Sequence, residues 1–89
     1  MKASPGGTVT VRVRFFARYA ELAGRAEGTL TVPLPATVSD VVDRARHEWP
    51  GASALPPEPL AAVNLRHVRL DASVADGDEV ALLPPLAGG

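Results

Sequence analysis

The residues of this chain best placed to do chemistry are its last two, Gly88 and Gly89. They follow an apolar run, Glu79–Leu83, and a Pro84-Pro85 pair. Adjacent prolines fix φ twice and remove two N–H donors, so the segment is expected to leave a sheet stiffly and unpaired. The residues after Leu83, namely Pro84, Pro85, Leu86, Ala87, Gly88 and Gly89, can extend about 20 Å. Glycines lack Cβ atoms and let a terminal carboxylate pass through a slot too narrow for any side chain. A main-chain carboxylate is a poor electrophile until ATP converts it to an acyl-adenylate, which then accepts sulfur, a thiol or an amine. Chain ends often fray without further meaning. A glycine pair at the last two positions, behind a rigid Pro-Pro, favours the chemical reading.

The side chains offer little else. The chain has no cysteine, which excludes disulfides, thiolate metal sites, redox pairs and a cysteine nucleophile together. His47 and His67 are its only histidines; neither stands at metal-ligand spacing, and no metal site is expected. Ser4, Ser39, Ser53 and Ser73 stand in no nucleophile-elbow pattern, so a self-sufficient enzyme is ranked last. Asp76-Gly77-Asp78-Glu79 lacks the twelve-residue calcium pattern and reads as a turn. Nine basic residues against ten acidic ones give a net charge of −1, without the basic excess of a nucleic-acid module. Arg12, Arg14 and Arg18 read as a solvated stripe or as contacts for an acidic partner. The apolar runs are far shorter than the ~20 residues of a membrane span. Met1–Gly7 does not resemble a signal peptide, so a cytoplasmic location away from membranes is expected.

The elements that must position the tail follow from periodicity. Eighty-nine residues, 46% apolar and 21% charged, fit one small domain. Residues 1–7 are expected to form a flexible tail, 8–83 the folded domain and 84–89 the extended C-terminal tail. Val9, Val11, Val13 and Phe15 alternate with Thr10, Arg12, Arg14 and Phe16, a strand with one dry face. Ala17–Ala23 has helix-forming composition and stops at Gly24. Gly28–Leu34 alternates again through Leu30, Val32 and Leu34. Thr37-Val38-Ser39-Asp40 resembles a capping box with Asp in place of Glu or Gln. Val38, Val41, Val42, Ala45 and Trp49 then recur at helical spacing up to Pro50-Gly51. Gly51–Pro59 reads as loop, Leu60–Asn64 and Val68–Leu70 as short strands, and Glu79–Leu83 as the last strand. The order predicts an α+β fold, a mixed sheet of about five strands with one main helix across one face. The first and last strands are expected to lie centrally.

Parity also predicts a docking patch. Phe16 falls on the wet side of its strand with Arg12 and Arg14, and Leu83 on the corresponding side of the last strand. Exposed aromatic and aliphatic groups beside a reactive tail suit a partner. The alternative for Phe16, at a strand end, is to fold under the helix that carries Tyr19 and Leu22.

Three segments carry a family resemblance: VRFFARYAELAG (Val13–Gly24), LAAVN (Leu60–Asn64) and DGDEVALLPPLAGG (Asp76–Gly89). Together they resemble the small, sulfur-carrying subunit of molybdopterin synthase, a family that shares the ubiquitin-like β-grasp fold with the thiamine sulfur carrier. The likeness runs from about Val9 to Gly89. It implies that an E1-like adenylyltransferase activates the Gly89 carboxylate with ATP and that a persulfide donor converts it to a thiocarboxylate. It also implies that the tail from Pro84 to Gly88 inserts into the large catalytic subunit, in a heterotetramer, and gives sulfur to cyclic pyranopterin monophosphate. The small subunit would be non-catalytic and hold no permanent cofactor. The resemblance adds His67 to the patch, at a position where relatives carry an aliphatic residue. The terminal Gly-Gly itself is common to ubiquitin-like carriers. A carrier for thiamine, cysteine or transfer-RNA thiolation, or a protein modifier joined through Gly89 to lysine, therefore stays open.

Overall fold

Alternation from Val9 to Phe15 gives a strand one face of which must find a hydrophobic cover. In the computed structural model, which describes residues 7–85, β1 (Thr8–Phe15) buries Val9, Val11, Val13 and Phe15 and exposes Thr8, Thr10 and Arg12. It continues through α1 (Arg18–Ala23), β2 (Glu27–Pro33), α2 (Val38–Glu48), a 3-10 turn (Pro50–Ala54), β3 (Leu60–Val63), β4 (Arg66–Val68) and β5 (Glu79–Leu83). The strands form one five-stranded sheet in the order β2-β1-β5-β3-β4. β1 runs antiparallel to β2 and parallel to β5, while β3 is antiparallel to both β5 and β4. The sheet is thus mixed, with the first and last strands inside it, as expected.

The cover is α2. Its N-terminus carries the capping box read from the sequence. The Thr37 hydroxyl accepts from the Asp40 amide at 3.2 Å, and the Asp40 carboxylate accepts from the Thr37 amide at 2.9 Å. The shorter Asp therefore does what Glu or Gln usually does, and such a cap contributes about 1 kcal/mol. Val38, Val41, Val42 and Ala45 are buried in one cluster with the dry faces of β1, β2 and β5. Among the described residues no charged side chain is buried. Trp49 closes one end of this core, edge-on to Phe15 with ring centroids 5.8 Å apart. Its other side is roofed by the Arg25 guanidinium at 4.6 Å, and its ring occupies the space a Cβ on Gly28 would need. Arg46 secures the loop after α2, donating to the carbonyls of Ala52, Leu55 and Pro56 at 3.4, 2.8 and 2.6 Å.

Several elements differ from the sequence reading. The fourth strand is Arg66–Val68 rather than Val68–Leu70, and the third stops at Val63. Asn64 and Leu65 both have positive φ, 51° and 72°, so a two-residue hairpin turn brings Arg66 straight into register with Val63. Such turns are usually marked by Asn-Gly, and Leu65 hides the signal. The predicted loop Gly51–Pro59 begins as a 3-10 turn, started by Pro50 at its first position. Leu34 lies beyond the end of β2 and is 40% exposed, so the alternation ends one residue early. The first helix starts at Arg18, because Ala17 takes φ 52° and ψ −130°. It stops at Gly24 in the left-handed conformation, φ 77°, as anticipated.

Candidate functional site

β5 is hydrogen-bonded to a neighbour on each side, in register with β1 from Arg12↔Glu79 to Phe15↔Leu82 and with β3 from Leu60↔Leu83 to Val63↔Val80. The strand that leads to the C-terminus is therefore the middle one of the sheet. Val80 and Leu82 anchor it in the core, with no exposed surface. Beyond Leu83, Pro84 is half-buried and Pro85 exposed. Leu86, Ala87, Gly88 and Gly89 lie outside the described residues, as do residues 1–6.

The face of the sheet turned away from α2 collects the predicted patch. One row runs across all five strands: Glu27, Arg14, Ala81, Ala62 and His67 stand in mutual register. Ala62 and Ala81 are only 7% and 6% exposed, yet both are outside the core cluster. Alanine projects only a methyl group, so the two make a low strip, or trough, between the larger side chains of Arg14, Leu60, Leu83 and His67. On the tail side, Leu83 pairs with Leu60, which is 46% exposed. Phe16 prolongs the β1–β5 pairing by donating its amide to the Leu82 carbonyl at 3.3 Å. Its ring carries the Arg14 guanidinium at 5.0 Å, so Phe16 belongs to the open face with Arg14 and not beneath α1. Arg14 is further held by Glu79, 3.1 Å away, and both side chains are partly sheltered. It is therefore a fixed wall and not part of a freely solvated stripe. The guanidinium of Arg12, on the same face, has no partner among the described residues.

Arg12, Arg14, Phe16, His67 and Leu83 thus share one face, and Leu60, Ala62 and Ala81 join them. Sequence reasoning missed Leu60 as a patch residue; the signal was its parity with Ala62 inside LAAVN. It also missed the task of Asn64 in that segment. The Asn64 amide donates to Asp78 at 2.9 Å and accepts from the Glu79 amide at 3.0 Å, tying the β3–β4 turn to the start of β5. The Asp76–Asp78 turn beside it is fastened to β1, because Asp76 accepts from the Thr10 amide at 2.7 Å. No group of three His, Asp or Glu side chains among the described residues could hold a metal ion. No helix among them is long and apolar enough to cross a membrane.

The sequence that builds this face and its central last strand matches a known protein family. The ThiS family profile covers residues 13–89. The chain belongs to the ThiS family. Among curated relatives, the molybdopterin synthase sulfur carrier subunit of Escherichia coli K12 is 36% identical over 80 residues, covering 89% of this chain and 99% of its own. Among solved structures, small archaeal modifier protein 1 of Haloferax volcanii superposes with a TM-score of 0.78 at 28% identity, covering 88% of this chain and 99% of that one. Caldiarchaeum subterraneum ubiquitin superposes with a TM-score of 0.62 at 22% identity, covering 93% of this chain and 100% of its own. The fold of this ThiS-family chain is the ubiquitin-like β-grasp.

Proposed function

We propose that the chain is the sulfur carrier and small subunit of molybdopterin synthase. The observation that carries this reading is the position of β5, the central strand, which delivers Pro84-Pro85 at the edge of the Phe16, Leu83 and Leu60 patch. Curated relatives of this name span nearly the whole chain. In this mechanism the Gly89 carboxylate attacks the α-phosphorus of ATP on an E1-like adenylyltransferase, and pyrophosphate leaves. The terminal sulfur of a persulfide donor displaces AMP from the acyl carbon, and a thiol reduces the acyl disulfide to a thiocarboxylate. A large catalytic subunit then docks on the open face and receives the tail from Pro84 to Gly88. The thiocarboxylate sulfur bonds to a carbon of cyclic pyranopterin monophosphate in place of an oxygen substituent, which departs. Water then cleaves the resulting thioester, returning the carboxylate and leaving the sulfur on the pterin as a thiolate. A dithiolene holds two sulfurs, so two loaded carriers are consumed per product. The chain's own side chains position partners and carry out no bond chemistry.

The test is mass spectrometry of the chain after incubation with the adenylyltransferase, Mg-ATP and a persulfide donor, followed by the large subunit with its pterin substrate. The expected result is replacement of one oxygen by sulfur at Gly89, then loss of that sulfur as the dithiolene forms. Deleting Gly89 should abolish both steps without altering thermal unfolding; dithiolene formation by the truncated chain would refute the reading. A second reading, a modifier joined to lysine through Gly89, is favoured by the likeness to small archaeal modifier protein 1. It predicts a ladder of covalent conjugates in the same assay.

A further inference from the structure

The open face carries an imidazole where its surroundings are apolar. His67 is exposed on the edge strand β4, directly beside Ala62, with Ala81 next in the row. Its side chain has no hydrogen-bond or ionic partner among the described residues. Along the same row Arg14 lies three strands away, about 14 Å at the usual strand spacing, and Glu27 on β2 ends it beyond Arg14. The charged groups that share the region are Arg14 and Glu79, already paired with each other, Arg12, Glu27 at the far end of the row on β2, and on β4 and just beyond it Arg66, Arg69 and Asp71. Arg69 and Asp71 face each other at 3.7 Å in open solvent. Arg66 alternates to the opposite face of β4 and Glu27 lies beyond Arg14, so the groups nearest the trough that are left to be matched are Arg12 and His67.

A protein that fills a trough floored by alanines does so with a bulky apolar ridge, and in doing so covers His67. A covered imidazole N–H without an acceptor is penalised by its lost hydration. With a guanidinium on one side of the trough and an imidazole N–H on the other, the complementary acceptor is an acidic one. We infer that His67 is a specificity determinant of docking: the partner presents an apolar ridge over Ala62 and Ala81 and a carboxylate opposite His67. This rests on the carrier reading above and specifies the chemistry of its large-subunit partner. A chain with an aliphatic residue at this position would suit a partner with an apolar pocket there, so the two kinds of carrier would discriminate between each other's partners.

A carboxylate opposite His67 stabilises the imidazolium, so the complex takes up a proton and tightens as pH falls. Histidine titrates in the range where this is measurable. The experiment is calorimetric titration of the full chain into the large synthase subunit of the same organism, at about pH 6 and about pH 8. Wild type is compared with His67→Leu and His67→Gln, neither of which alters the core, since the side chain is exposed. Wild type should bind several-fold more tightly at the lower pH, and both variants should lose most of that dependence. His67→Leu should bind about tenfold more weakly than wild type at the lower pH, with His67→Gln, which keeps an N–H donor, in between. Equal or tighter binding by His67→Leu, or one pH dependence shared by all three chains, would overturn the assignment. No complex with the wild-type chain at either pH would instead refute the carrier reading on which it stands.

Discussion

Replacing Ala17 by glycine should stabilise the protein. Phe16 to Tyr19 form a tight turn closed by the Tyr19 amide and the Phe16 carbonyl at 3.0 Å, and Ala17 is its second residue, at φ 52° and ψ −130°. This is the first central position of a type II′ turn, a conformation that normally demands glycine. A residue with a Cβ held there carries roughly 1–3 kcal/mol of strain. Glycine removes that strain and adds roughly 0.4–1 kcal/mol of unfolded-state entropy against folding. Ala17 is exposed, so no buried surface is lost. The net gain should be about 1 kcal/mol, equivalent to a rise in Tm of about 4–8 °C for a domain of this size. Urea unfolding should show a higher midpoint with an unchanged slope. A lower midpoint for Ala17→Gly would refute the turn assignment, and with it the reason that α1 starts at Arg18.

Three further changes test the packing and the open face. Tyr19 is buried, and its hydroxyl has no hydrogen-bond partner among the described residues. Tyr19→Phe should therefore raise stability, by about 1 kcal/mol in thermal unfolding, and a loss would show that the hydroxyl is satisfied in solution. Arg46→Ala removes the donor to three loop carbonyls and should cost about 2–3 kcal/mol, with Arg46→Lys restoring only part because its ammonium cannot span them. If Arg46→Ala melts like wild type, the guanidinium does not hold the loop. Under the proposed function, Arg12→Glu and Phe16→Ala should each weaken binding to the large subunit about tenfold without preventing sulfur loading of Gly89. Unchanged affinity in both would remove this face from the docking argument.

What the sequence made legible was set by periodicity and by caps. The dry face of β1, the stripe of α2 and the Thr37–Asp40 box were readable because each is a local pattern whose partner lies within a few residues. The β3–β4 turn was not, because Leu65 occupies a left-handed position that composition assigns to glycine. Ala17 failed for the same reason, its helix-forming character overridden by the chain reversal between β1 and α1. On the open face, parity alone placed Phe16, Leu83 and the two arginines, but gave Phe16 two destinations. The choice between them depended on Arg14, which stacks on its ring while paired to Glu79 from a strand sixty-five positions away. No local pattern contains that contact. Leu60, by contrast, shares parity with Ala62 and was legible as an open-face residue, but only its pairing with Leu83 puts it beside the tail.

On the proposed function, the arrangement would also let the carrier be handled repeatedly without unfolding. A tail that several enzymes must grip would unzip an edge strand one hydrogen bond at a time. Here it extends from the strand with a neighbour on both sides, anchored by Val80 and Leu82 at the centre of the core. Force or strain applied beyond Pro84 has to break two ladders at once. Leu83 is the last residue of that strand and a member of the open face, paired with Leu60. A protein that docks on Leu60, Leu83 and Phe16 therefore holds the tail at its root and fixes the direction in which the following prolines set out. On the proposed function, docking energy would in this way be turned into positioning of the reactive end, so that its chemistry occurs only inside the right partner.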